Sequence, residues 1–181
     1  MIFSEKLQIG WNGSSIKAPN RSGIYWDIFS KWWNIFPLHG DVLLVGDEYP
    51  YMNDLRPWFM SRHPMINNVL ATSLENSDIN WDITTPFEKD IKFDFVICQA
   101  VLEHVKDPVS AVKNLANVIY DDGFIFLHSH GPKFKEHRYP IDCYRFMKDG
   151  VIALIELAGL DLIDILYTDS HWFTLSIKVD K

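Results

Sequence analysis

The chain has 181 residues, of which 48% are apolar and 23% charged, and its formal net charge is −7. That length suits one domain able to bury roughly 70% of the surface its unfolded chain exposes. The acidic balance argues against a nucleic-acid phosphate backbone as the main partner, because such a partner needs a basic face. No apolar run approaches about 18 residues and no basic-then-apolar leader opens the chain, so no membrane segment or secretion is expected and the cytoplasm is the default location. The two cysteines, Cys98 and Cys143, have no CxxC spacing and fit a reducing compartment as small core residues.

Residues 1–40 read as a polar, turn-rich arm ("WNGSSIKAPN") followed by an aromatic helix. In "GIYWDIFSKWWNIF", Ile24, Ile28, Trp32 and Ile35 recur at helical spacing, with Trp26, Phe29 and Trp33 beside them. A face of this kind covers a sheet or a site, or else meets a partner, with a homodimer through the Trp-rich helix as the expected form. Over 41–181 strands and helices alternate. "DVLLVG" is a continuous apolar run, as in a strand buried on both faces. "DLRPWFMSR" is predicted to start a helix, with Asp54 as N-cap and Pro57 in the first turn. "NNVLATSL", "INWDI" and "KFDFVICQA" are strands two to four, the last leading into a short helix around Leu102–His104.

The clearest helix is capped by Asp107 and opened by Pro108, with Val109, Val112, Leu115, Ala116 and Ile119 as its buried stripe. Gly123 in "DDG" is expected to end it in the left-handed conformation. "FIFLHS" is strand five. "KDGVIALIELAGL" is a helix with Val151, Ile152, Ile155 and Ala158 inward and Gly159 at its end. "DLIDILYT" and "HWFTLSIKV" close the chain as an antiparallel pair. The expected fold is α/β: one domain with a doubly wound, Rossmann-like, seven-stranded and mostly parallel sheet ending in an antiparallel C-terminal hairpin. Ligands of such sheets bind outside the carboxyl ends of the strands, which selects the loops after Val45, Ser73, Trp81, Cys98 and Leu127.

Two stretches carry a family resemblance. "FDFVICQAVLEHVKDPVSAVKNLANVIYDDGFIFLHS", Phe93 to Ser129, and "HRYPIDCYRFMKDGVIALIELAGL", His137 to Leu160, resemble class I S-adenosylmethionine (SAM)-dependent methyltransferases. The likeness is to the type-11-like group found near glycan and natural-product pathways. It runs in order over about 41–160. It implies SAM as cofactor and methyl transfer to a small hydroxylated acceptor, possibly a sugar or glycan. A methyltransferase-like domain that has become a non-catalytic partner or scaffold subunit is the alternative.

The glycine motif is degenerate. Gly46 can still give close backbone approach because it lacks a Cβ, but Asp47 and Glu48 follow it. A carboxylate can pair with the SAM ammonium, so these acids either meet that group or lie on a solvated loop. Ser73 falls where the family has an acid for the ribose hydroxyls, a position from which serine makes a single bond. Asp82 matches the adenine-amino acceptor, or is a turn-initiating Asp, with Ile83 flanking the ring. Gln99 and Ala100 follow strand four, where the family lines the methionyl pocket. His104 more often packs or caps than reacts.

Methyl transfer to a hydroxyl needs an aligned nucleophile and a base. His137, in the loop after strand five, is the best candidate base. Asp142, Tyr144 and Arg145 either shape the acceptor site or pin the loop. "HSHGPKFKEHRYP" holds three histidines, yet His128 and His130 with His137 make no fixed ligand set, so no metal is expected.

Overall fold

The computed structural model describes residues 31–33, 35–50 and 52–179. The expected arm and most of the aromatic helix lie outside them, as do Trp26 and Phe29. Among the described residues, after a helical stretch at 31–33, eleven elements of regular structure, one of them a single turn, follow in order: β1 (Gly40–Val45), α1 (Met52–Arg62), β2 (Ile66–Ser73), β3 (Ile79–Asn80), β4 (Phe93–Gln99), a 3₁₀ turn (Leu102–His104), α2 (Pro108–Asn117), β5 (Ile119–His130), α3 (Lys148–Leu157), β6 (Leu160–Tyr167) and β7 (His171–Lys178). All seven strands join one sheet in the order β3-β2-β1-β4-β5-β7-β6. β7 runs antiparallel to β5 and β6, and the other pairings are parallel. The expected doubly wound sheet with its C-terminal hairpin is what forms.

The continuous apolar run of β1 has a simple cause. Successive side chains point to opposite faces of a strand, and both faces here are covered. Leu43 and Val45 join Val96, Cys98, Ile125 and Leu127 under α2 and α3. Val42 and Leu44 join Phe95, Ile97 and Phe126 on the other face, against Leu55 and Phe59 of α1 and against Trp32 and Trp33. Those two tryptophans are 1% and 4% exposed, so this end of the aromatic segment covers the sheet of its own chain. Trp32 Nε1 donates to Asp164 Oδ2 of β6 at 2.9 Å, a buried bond between residues far apart in sequence. Replacing Trp32 with phenylalanine should cost about 2–4 kcal/mol in urea unfolding, from the lost bond to a charged acceptor and the smaller ring.

Four local expectations need correction. α1 begins at Met52, so Asp54 is not its cap and Pro57 sits inside it, without the N–H needed to bond Asn53 O. The backbone bond from Asn53 N to Pro50 O shows the chain already turning before Asp54. β5 starts at Ile119, which belongs to the strand and not to the stripe of α2. Asp122, not Gly123, takes the left-handed conformation, with φ +64°. Gly123 is needed for space instead, since a Cβ there would lie 2.9 Å from Tyr120 O and 3.1 Å from Asp94 O. In α3 the buried residues are Val151, Leu154 and Ile155, with Ile152 only half-buried.

Candidate active site

Strand order reverses between β1 and β4, which lie side by side at the centre of the sheet. Their carboxyl ends therefore open a crevice, the general ligand site of open α/β sheets. Gly46 leaves β1 with φ +83°, and a Cβ there would lie 2.4 Å from Val101 Cγ2. Glycine is thus required twice, for handedness and for room against the segment following β4. Its N–H donates to Thr72 O of β2. Asp47 is turned inward and 5% exposed.

Glu48 is the informative residue of this turn. Its Oε1 accepts from Ser73 Oγ at 2.8 Å, which brings a carboxylate from the β1 loop to the end of β2. Glu75, two residues beyond Ser73, is exposed. The arrangement is held from outside by Asp78, which accepts from Tyr49 Oη at 2.6 Å, from Arg56 at 2.5 Å and from Ala71 N at 2.9 Å. Burial alone would raise the Asp78 carboxyl; these three donors overcome it and hold it below its usual range. None of Tyr49, Arg56 and Asp78 was singled out from the sequence, because the contact joins two loops and α1.

Across the crevice, Gln99 ends β4 and is 8% exposed, and its Oε1 has no hydrogen-bond partner among the described residues. Ala100 follows with φ +53°, its N–H donating to His128 O. A buried acceptor left open costs free energy unless a ligand or water completes it. Asp82 is exposed, and its Oδ1 accepts from Thr84 N and Thr84 Oγ1, a turn-initiating role that leaves Oδ2 unused by these bonds. Ile83 is 6% exposed and packs in the core, so its side chain serves the domain interior.

The loop after β5 is tied down by its own residues. Arg145 pairs with both oxygens of Asp142 and donates to the carbonyls of Phe134, Lys135 and Tyr144. Asp142 also accepts from His137 N at 2.6 Å, and Tyr144 Oη donates to Lys106 O at 2.9 Å. Arg145 thus pins the loop, and the loop carries the exposed His137 ring 5.2 Å from the His104 ring and 5.5 Å from that of His130. Bonding to Arg145 holds the Asp142 carboxyl down at about 2. Because its folded carboxyl titrates below an unfolded one, this pairing contributes fully above about pH 4 and is lost as the pH falls toward 2. Asp142→Asn should therefore flatten the acid limb of stability in that window, followed by thermal melts from pH 5 downward.

Beneath the loop lies a residue that sequence reasoning passed over. Glu103 is fully buried; Oε2 accepts from Ser129 Oγ at 2.6 Å and Oε1 stands 2.8 Å from His130 Nδ1, an ion-pair contact off line for a hydrogen bond. Its carbonyl accepts from Cys143 N and Tyr144 N. Burial raises the carboxyl, and the His130 and Ser129 contacts outweigh it, leaving it below its usual value. Burial, with the Glu103 charge behind it, pushes the Cys98 thiol far up, so Cys98 is the inert core residue expected.

A family model described as a methyltransferase domain matches residues 64–127, from just before β2 to within β5. Over those residues the chain is similar to a methyltransferase domain, and its sheet has the Rossmann-like methyltransferase fold. Among curated relatives, the ubiquinone biosynthesis O-methyltransferase of Coxiella burnetii (strain RSA 331) is 30% identical over 105 residues, covering 49% of this chain and 44% of that protein. The chain thus aligns with less than half the length of that relative. Among solved structures, a SAM-dependent methyltransferase from Clostridium acetobutylicum superposes with a TM-score of 0.62 at 10% identity, over 84% of this chain and 89% of that one. The N-methyltransferase NodS from Bradyrhizobium japonicum, solved with S-adenosyl-L-homocysteine (SAH), gives 0.62 at 10% identity over 87% and 86%. At these identities the superpositions speak for the fold.

The crevice suits SAM chemically. The ammonium, ribose diol and adenine amino group of that cofactor are all donors. The crevice is rimmed by acceptors: Asp47, Glu48, the open Gln99 Oε1 and Asp82 Oδ2. Among the described residues no helix is long and apolar enough to cross a membrane.

Proposed function

We propose that the domain transfers a methyl group from SAM to a small hydroxylated acceptor, a sugar or glycan being one candidate. The observation that carries this reading is the Glu48–Ser73 bond across the ends of β1 and β2. It supports a ribose site rebuilt from the neighbouring loop, with Glu48 as bidentate acceptor and Ser73 orienting it. In this reading Gly46 lets the backbone approach, Asp47 and Gln99 Oε1 meet the ammonium end, Ala100 lines the methionyl side and Asp82 receives the adenine amino group, with Ile83 behind it. When bound, the cofactor supplies an electrophilic methyl on a sulfonium.

The chain's own part is to orient the acceptor and take its proton. His137 is the proposed base: it is exposed, and its backbone is fixed by Asp142. Tyr144 and Arg145 shape the acceptor side through the pinned loop. Tyr139, 73% exposed, offers an aromatic face of the kind that sugar rings stack on. The name of the Coxiella relative, an O-methyltransferase, is consistent with an oxygen acceptor.

Ligand at 100 times its dissociation constant adds about 2.7 kcal/mol of stability, a rise in melting temperature of roughly 5–10 °C for a domain of this size. We expect such a rise with SAH and with SAM, and transfer of labelled methyl to hydroxylated acceptors in a sugar panel. No rise with either ligand would favour the non-catalytic alternative. A rise without transfer to any hydroxyl would move the acceptor class.

A further inference from the structure

Three histidines that the reaction above does not use meet at the carboxyl end of β5. His130 lies directly opposite His171 in the antiparallel β5–β7 pairing, and His128 is two residues back on the same strand. Facing positions of this kind bring Cβ atoms to about 5 Å, and alternate residues of a strand share a face. One ring nitrogen from each of the three lies within 4.8 Å of the others. The ring centroids form a nearly equilateral triangle, with sides of 5.7, 5.4 and 5.4 Å.

We propose that His128, His130 and His171 form a binding site for a first-row divalent transition-metal ion, independent of the SAM crevice. Three imidazoles on a tetrahedral ion, with metal–nitrogen bonds of about 2.0–2.1 Å, put ring centroids about 5.2 Å apart and nitrogens about 3.3 Å apart. The observed triangle is within about half an ångström of that, and His128 Nε2 lies 3.2 Å from His171 Nδ1. The surroundings are those of a ligand set. Glu103 Oε1 stands 2.8 Å from His130 Nδ1, a carboxylate contact that favours a proton on that nitrogen and leaves Nε2 for the ion. Phe134 stacks on the His130 ring with centroids 3.6 Å apart and Phe173 packs on His128 at 4.4 Å, so both rings are held. Imidazole-only donors select ions such as Zn(II), Co(II), Ni(II) or Cu(II) over Mg(II) or Ca(II).

The same contacts could instead be a chain of imidazole hydrogen bonds, and titration separates the two. Metal-stripped, untagged full-length chain would be titrated with Zn(II) calorimetrically and with Co(II) by visible absorption. We expect one saturable equivalent per chain and the intense ligand-field bands of four-coordinate Co(II). His171→Ala should weaken binding by about 100-fold or more, and Glu103→Gln by roughly 10–100-fold. His171→Asn, which keeps a polar group on the hairpin, carries the expectation of His171→Ala should that variant fail to fold. His137→Ala should leave binding unchanged, which separates this set from the neighbouring Glu103, His104 and His137 group. Absence of a one-equivalent event, retention of binding in both His171 variants, or its loss in His137→Ala would each overturn the proposal.

Discussion

Glu48→Ala is expected to weaken SAH binding by roughly 10–100-fold in calorimetric titration, with the fold and melting temperature of the free chain nearly unchanged. The carboxylate that would accept both ribose hydroxyls comes from a loop residue already in place, bonded to Ser73 and half-buried. Each charge-assisted hydrogen bond is worth about 1.5–3 kcal/mol, part of which returns as water fills the gap, and every 1.4 kcal/mol is tenfold. Glu48→Gln should fall between, since the amide keeps one acceptor. Ser73→Ala should cost only a few-fold, because Ser73 orients the acceptor and does not replace it. The decisive variant is Glu48→Ala with Ser73→Asp, which returns an acid to the end of β2. Recovery of most of the affinity would show that one carboxylate at this spot is what matters, whichever strand supplies it. A loss below threefold in Glu48→Ala would remove Glu48 from the site.

This swap shows where the sequence is legible and where it stops. The fold was readable because each element carries its own signal: the apolar run Val42–Val45, the Asp107-Pro108 helix start, and the polar break between β6 and β7. The degenerate turn was readable as a departure, since Ser73 stands at an identifiable position. The remedy was not, because the Glu48–Ser73 bond depends on how one loop folds over its neighbour. His171 was missed for a related reason. It lies 43 residues from His128, and only the antiparallel register of β5 against β7 brings the two rings together. Glu103 was hidden by its neighbour: in "LEH" the histidine drew attention, while the carboxylate is the buried member. Sequence spacing tells which face of an element a residue takes, but not which foreign element that face meets.

Glu103→Ala is expected to be the most destabilising single change in the domain, by about 3–5 kcal/mol in urea unfolding, or a melting temperature lower by roughly 6–20 °C. A buried charge is sustained only by its partners, and here Ser129 and His130 are themselves buried and turned toward it. Truncation leaves a cavity lined by a hydroxyl and an imidazole without their acceptor, so the transfer and desolvation penalties add. Glu103→Gln keeps the volume but places an NH₂ against groups that need an acceptor, and should cost about 1–3 kcal/mol. Adding Ser129→Ala to Glu103→Ala should cost less than the sum of the two single changes, because the second removes a group that the first has already orphaned. The backbone role should survive truncation, since Cys143 N and Tyr144 N bond the Glu103 carbonyl and not its side chain. The acceptor loop should therefore stay docked in Glu103→Gln, with SAH affinity close to that of the parent. If SAH affinity fell in step with stability, the buried carboxylate would be part of the cofactor site and not only the anchor beneath the loop.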